Sequence, residues 1–152
     1  MAHYDFVVEQ KAAQPAMSIR RRTRLENLPQ VIGQSYKAIM AYLSEKGAHP
    51  AGAPYTAYFN LDMQDLDIEI GFPVTRTLPP KDDIVPSEIP AGKQISCIYK
   101  GPYSEMEAVY EALNQYAAEQ GLTLAGTSYE FYFNGPETPE EELLTKIMLP
   151  VR

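Results

Sequence analysis

The chain has no tryptophan, one cysteine and two histidines among its 152 residues. A single thiol excludes an internal disulfide and fits a reducing cytoplasm. Cys97 lies in the apolar stretch "QISCIYK", which reads as a buried structural thiol rather than a nucleophile. His3 falls in the terminus and His49 in a loop, and both read as solvated side chains. No metal-ligand spacing occurs, so neither a metal nor another cofactor is expected. No apolar run approaches the roughly 20 residues that a bilayer span needs. The N-terminus "MAHYDFVVEQ" lacks the basic-then-apolar order of a signal peptide. These absences predict a cytoplasmic chain without a membrane partner. Positive charge is also scarce, with 13 Lys and Arg against 20 Asp and Glu and a net charge of −7. That balance speaks against direct nucleic-acid binding, which needs a basic face. The one basic cluster, "RRRTR" (Arg20 to Arg24), would alternate between faces on a strand. It reads as a solvated edge rather than a phosphate-binding patch.

What is present is an ordinary globular composition, 45% hydrophobic and 22% charged, in a chain long enough to bury a full core. The sequence also repeats itself. "YTAYFN" at Tyr55 and "YEFYFN" at Tyr129 are offset by 74, and so are Gly47 and Gly121. "PAMSI" answers "PAGKQI", and "GFPV" answers "MLPV". A single domain over 1–152 is expected, built from halves of about 3–75 and 83–152 and joined by the Pro-rich "TRTLPPKDD".

Each half reads strand, helix, strand, strand. In the first, "AMSIRRRT" is a strand and Asn27 is placed to cap a helix. Ile32, Tyr36, Ile39, Met40 and Leu43 recur at helical spacing, and Gly47 supplies a left-handed C-terminal cap. "YTAYFN" and "LDIEIGF" follow as strands. In the second half, "KQISCIYK" is the strand, and Ser104 with Glu107 suggests a capping box. Met106, Val109, Leu113 and Ala117 form its buried stripe, Gly121 ends it, and "YEFYFN" and "LLTKIML" close the unit. "YDFVVEQ" adds an edge strand. The expected class is α+β, an antiparallel sheet with two main helices on one face and a ligand cleft on the other.

Strand alternation then sorts the side chains. Tyr129, Phe131 and Phe133 share one face, and Glu130, Tyr132 and Asn134 the other. Tyr55, Ala57 and Phe59 likewise oppose Thr56, Tyr58 and Asn60. If the more apolar sets face the helices, Glu130, Tyr132, Tyr58, Thr56 and Glu69 are left on the helix-free side. Around a pseudo-two-fold axis such faces would wall a cleft with aromatic sides and an acidic floor. That composition suits a flat lipophilic cation. Tyr103, in the turn before the second helix, and Met148, in the closing strand, complete the candidate ligand contacts. Composition alone, however, favours an exposed strand residue for Glu130 and more so for Glu69. Tyr36, Tyr42, Tyr110 and Tyr116, on the helices, read as packing or surface residues.

The segments "DLDIEIGFPV", "IPAGKQISCIYKGPYSEMEAVYEALNQYAAEQG" and "YEFYFN…PEEELLTKIMLPV" resemble the GyrI-like small-molecule-binding domain. The same module is the effector-binding domain of some AraC-type and MerR-type transcription regulators. The likeness covers nearly the whole chain. It implies two pseudo-symmetric strand–helix–strand–strand modules. It further implies that the Glu of an aromatic-Glu-x-aromatic strand, here Tyr129-Glu130-Phe131-Tyr132, meets cationic drugs or dyes in the ligand cavity. Many relatives carry Trp where this chain has Tyr129, a change that keeps the carboxylate but alters the pocket wall.

Three functions fit, in this order. The first is a binding or sequestering protein for lipophilic, cationic small molecules, either standing alone or as an excised effector domain. The second is a hydrolase: the resemblance extends to stand-alone members that hydrolyse reactive cyclopropane-bearing compounds. Glu130 would then position water, with Tyr132 or Tyr103 donating to the developing oxyanion. The third is a gyrase-directed inhibitor. It rests on acidic residues that are dispersed apart from "PETPEEE" (Pro136 to Glu142), itself read as a solvated loop.

Overall fold

The computed structural model describes residues 4–135 and 137–152; His3 and Pro136, singled out above, lie outside them. The element order is β1 (Val7–Lys11), β2 (Gln14–Thr23), α1 (Leu28–Glu45), β3 (Tyr55–Tyr58), β4 (Leu66–Pro73), β5 (Val85–Ile89), β6 (Gly92–Lys100), α2 (Met106–Glu119), β7 (Ser128–Tyr132) and β8 (Leu144–Pro150). The repeat is therefore β2-α1-β3-β4 followed by β6-α2-β7-β8, an α+β fold with antiparallel strands and two main helices.

The chain divides into two compact units. One is Ala12–Ala91, with strand order β3-β4-β2-β5. The other joins Gly92–Arg152 to the segment ending at Lys11, with order β1-β6-β8-β7. Each repeat's leading strand thus pairs with the other repeat's first long strand. Val7 lies opposite Ser96 and Val85 opposite Ser18.

In the unit 12–91, α1 lies over Met17, Ile19, Phe72 and Val74 through Ile39, Tyr42 and Leu43. Its first turns cover Leu66, Ile68 and Ile70 with Leu28, Val31, Ile32 and Tyr36. Ser35 and Tyr42 belong to the buried stripe, whereas Met40, expected there, is 42% exposed. In the other unit, α2 sets Met106, Val109, Leu113 and Ala117 against Ile95, Cys97, Tyr99, Ile147 and Leu149. Cys97 is buried, and burial pushes its thiol up to about 11. Gly47 and Gly121 both take positive φ after their helices, as the sequence predicts. The predicted N-terminal caps do not form. A 3-10 turn precedes each helix, Leu25–Asn27 and Tyr103–Glu105, and neither Asn27 nor Ser104 makes a capping bond. Asn27 is already helical and Ser104 sits inside its turn, so neither has the extended backbone that a cap requires.

The arginine cluster lies on an edge, as expected. Beyond Ser18, β2 pairs with β4 alone. Its charges are matched there. Asp67 accepts Arg20 Nε and Nη2 at 2.7 and 2.9 Å, Asp65 accepts Arg22 at 3.0 and 2.8 Å, and Asp83 accepts Arg21 at 2.9 Å. The Arg20 guanidinium also lies 3.9 Å from the centre of the Phe59 ring. These pairings leave no unbalanced basic stripe for phosphate. On the same face, Gly71 makes room for a neighbour. A β-carbon there would stand 2.8 Å from both the Met17 carbonyl oxygen and the Tyr55 hydroxyl.

Two outcomes follow for stability. Gly71→Ala is expected to lose about 1–3 kcal/mol in urea unfolding, and an unchanged midpoint would show that the strand yields freely. The Arg20 hydrogen bond, opposed by partial burial, holds the Asp67 carboxyl below the usual aspartate range. Its stabilisation is complete above the unfolded value near ~3.9 and is lost as pH falls through the lowered folded value. Asp67→Asn is expected to cost about 0.5–1 kcal/mol at neutral pH and to match the parent once both forms are protonated. An equal cost in strong acid would refute the ion-pair account.

Candidate functional site

The faces of β7 are fixed by its pairing with β8. Directly opposite residues of an antiparallel pair project to the same side. Glu130 lies opposite Ile147, and Tyr132 opposite Thr145. Ile147 packs under α2, so Glu130 and Tyr132 face the helix. This reverses the expected assignment. The same holds in the unit 12–91, where Thr56 and Tyr58 lie opposite Ile70 and Ile68, beneath α1. The aromatic partners Tyr129 and Tyr55 point to the helix-free side and are buried there at 5% and 0% exposure. Both faces of these strands carry large rings, so hydrophobicity alone does not tell which one meets the helix.

The half-buried Glu130 carboxylate is held by phenols. Tyr132 Oη donates to Oε1 at 2.7 Å, and Tyr110 Oη donates to Oε2. Tyr110 comes from α2, one turn after Met106 and beside buried Val109. The expectation that it only packs is therefore corrected: it reaches across to the acid. Tyr103 completes the group from the turn before α2, its ring edge-on to Tyr132 at a centroid distance of 5.8 Å. The turn is set by Gly101, at φ 145°. A β-carbon there would stand 2.6 Å from the Tyr99 hydroxyl, which donates to Pro102 O at 2.9 Å. Tyr103 is 48% exposed, so one ring of the group meets solvent. Its hydroxyl ionises above the usual tyrosine range, through burial first and the Glu130 charge second, with the Thr145 hydroxyl opposing.

The repeat-equivalent residues form a lesser version of the same device. Tyr36, Thr56 and Tyr58 each precede Tyr110, Glu130 and Tyr132 by 74 positions. Tyr36 Oη and Thr56 Oγ1 share a hydrogen bond at 3.3 Å. Each helix thus sends a tyrosine to the same strand position, and only one copy finds a carboxylate there. This common offset was the signal in the sequence that could have marked Tyr110.

Two predicted residues stand elsewhere. Met148 lies opposite Tyr129 and Ser96, on the side away from α2, at 1% exposure. Glu69, expected to be exposed, is 8% exposed on the helix-free side of its own unit. Tyr55 and Ser87 donate to its Oε2 at 2.6 and 2.7 Å. Neither residue shares the helix-facing side with Glu130.

A surface depression of about 480 Å³, lined by Arg24, Leu25, Glu26, Met63 and Gln64, contains none of the predicted residues and no aromatic wall. Among the described residues no helix is long and apolar enough to cross a membrane, and no three His, Cys, Asp or Glu side chains gather as metal ligands. His49 and the acidic run Glu140–Glu142 are exposed.

The family described as the GyrI-like small molecule binding domain matches residues 4–152. No curated protein matches the sequence significantly. Among solved structures, EcmrR in complex with DNA is similar at TM-score 0.84 and 21% identity, over 97% of this chain and 57% of that one. The isolated EcmrR C-terminal domain matches at TM-score 0.77 and 22% identity, over 98% of both chains. The chain therefore spans little more than half of the EcmrR polypeptide. SAV2435 bound to tetraphenylphosphonium matches at TM-score 0.65 and 13% identity, over 97% of this chain and 94% of that one. A hydrolase from Listeria innocua matches at TM-score 0.70 and 14% identity, over 97% and 91%. At these identities the likenesses establish the fold.

Because burial is the larger cause of the Tyr103 shift, Glu130→Gln is expected to lower its ionisation only part of the way to the usual value near ~10. Carbon-13 NMR of the labelled phenol ring would follow this. A complete return to the ordinary value would show the two causes to be wrongly ordered, and no change would remove the Glu130 charge as a cause.

Proposed function

The chain belongs to the GyrI-like small molecule binding domain family, and from that premise we propose that it binds lipophilic organic cations with Glu130 as the charge-selecting residue. One observation carries this reading: both oxygens of a half-buried carboxylate accept phenol hydrogen bonds, beside a half-exposed aromatic edge. The phenols fix the direction of the carboxylate while bringing no opposite charge. A cation arriving beside it gains Coulomb attraction from the carboxylate. Ring contacts add about 0.5–2 kcal/mol each through cation–π attraction, and burial of apolar ligand surface adds more. Aromatic area sets the affinity, and Glu130 sets the preference for positive charge. That SAV2435 carries tetraphenylphosphonium on the same fold supports this ligand class.

A second reading uses the same residues. The Tyr103 hydroxyl, near Glu130 and at the solvent edge, could donate to an oxyanion while Glu130 positions water for attack on a cyclopropane-bearing electrophile. The likeness to the Listeria innocua hydrolase is of fold and leaves this reading second.

Fluorescence anisotropy of a lipophilic cationic dye is expected to show micromolar binding. Glu130→Gln should weaken it about tenfold, since a hydrogen bond or contact to a charged group is worth about 1.5–3 kcal/mol, with circular dichroism unchanged. Equal affinity in both proteins would remove Glu130 from the site. No binding by either would end the cation reading, and turnover of an electrophile that Glu130→Gln abolishes would establish the second.

A further inference from the structure

Tyr103 is a half-exposed member of the Glu130 group, yet its ring stands at a defined angle, 75° to the plane of Tyr132. Holding an exposed ring in one place costs side-chain and backbone freedom, so the chain behind it has to be fixed. That chain is the turn Gly101–Pro102, and three hydrogen bonds hold it. Gly101 N–H donates to Leu143 O at 2.9 Å, tying the turn to the residue before β8. The Tyr99 hydroxyl donates to Pro102 O at 2.9 Å. Glu105 N–H donates to the same oxygen at 3.2 Å and closes the 3-10 turn that carries Tyr103. Gly101, at φ 145°, leaves a space that the Tyr99 phenol fills. A β-carbon there would lie 2.6 Å from the hydroxyl and 3.0 Å from the ring carbon that bears it. Tyr99 is itself anchored: it is buried near the end of β6, in the core beneath α2. Its hydroxyl ionises above the usual tyrosine range, through burial first and then Glu105 and Tyr4, and so remains a donor at neutral pH.

We propose that Tyr99 is a positioning residue of the ligand site, holding the Tyr103 ring through the Pro102 carbonyl in the place where it meets a bound cation. Resting on the cation reading above, this role needs no contact between Tyr99 and the ligand. A ring fixed in advance gives its full cation–π and packing energy to the ligand, whereas a loose ring has to be ordered on binding. Tyr99→Phe keeps the ring in the core and removes the hydroxyl that reaches Pro102. The turn is then released while the packing beneath α2 stays in place.

A double-mutant cycle tests this. Tetraphenylphosphonium is titrated calorimetrically into the full chain as the parent, Tyr99→Phe, Tyr103→Leu and the double variant. Tyr103→Leu is expected to weaken binding about three- to thirtyfold, the range of one cation–π contact. Tyr99→Phe should weaken it about two- to tenfold, the cost of ordering one side chain, and should add nothing once Tyr103 is leucine. Carbon-13 NMR of the Tyr103 phenol gives a second readout that needs no ligand. Its raised ionisation should fall toward the ordinary tyrosine value in Tyr99→Phe, as the ring swings away from burial and the Glu130 charge. Equal losses of affinity with and without Tyr103 overturn the assignment, because Tyr99 then acts on the domain at large. An affinity or a Tyr103 ionisation that Tyr99→Phe leaves unchanged overturns it as well. Each of these results leaves the cation reading intact. Failure of the parent to bind tetraphenylphosphonium overturns that reading and the assignment together.

Discussion

The antiparallel register between β7 and β8 is the constraint on which the candidate site depends. It places Glu130 in the row of Ile147 and Tyr132 in the row of Thr145, and Ile147 is fixed beneath α2 by the core. A slip of one residue would turn Tyr129 and Phe131 toward the helix and send the carboxylate to the other side. Tyr110 would then have no acid to reach. The helix is held independently, by the stripe from Met106 to Ala117. Two separately anchored elements thus deliver a donor and an acceptor to one point, and the tyrosine–glutamate contact follows from their packing.

Carboxylates in this chain are handled in three physically different ways. Asp65, in the turn before β4, and Asp67, at the start of β4, lie near the surface and take arginine partners from β2. Glu69, nearly enclosed, takes the hydroxyls of Tyr55 and Ser87 within its own sheet, where Gly71 leaves space for the Tyr55 ring end. Glu130 also takes phenols, but one comes from a helix and the group continues into the half-exposed Tyr103. An arginine-paired acid has already spent its attraction for a cation. An enclosed acid offers no approach. Of these arrangements, the one at Glu130 combines a phenol-held carboxylate with aromatic surface at the solvent edge.

Much of the fold was legible because its signals are local or repeated. The offset of 74 between Tyr55 and Tyr129 gave the duplication, and the spacing from Met106 to Ala117 gave the second helix and its buried side. Gly47 and Gly121 marked the helix ends, where positive φ suits glycine. The faces of β3 and β7 were not legible. Their alternating sets, Tyr129 with Phe131 and Glu130 with Tyr132, are aromatic on both sides, and the more apolar set lies on the side away from the helix. Register with the neighbouring strand decides the question, and register is a long-range property. The helix starts failed for a local reason, since a 3-10 turn absorbed the residues read as caps. Glu69 was misjudged because nothing near it in sequence announces Tyr55 or Ser87, which reach it across the sheet.

Duplication explains why one acid could change role without loss of the fold. Tyr36 and Tyr110 occupy equivalent helical positions, and each bonds to the equivalent strand residue, Thr56 or Glu130. The neutral pair shows that a hydroxyl suffices at this position of the fold. Packing of the helix on its sheet rests on the apolar rows of each unit, Ile68 and Ile70 in one and Ile147 and Leu149 in the other. Holding an ionised group in a half-buried place costs free energy that the threonine version avoids. A structure that needed only the helix-to-strand bond would therefore keep the neutral residue in both halves. On the reading proposed above, the charge at Glu130 serves to attract a ligand from outside the chain, and the asymmetry between the repeats is the feature that singles this position out.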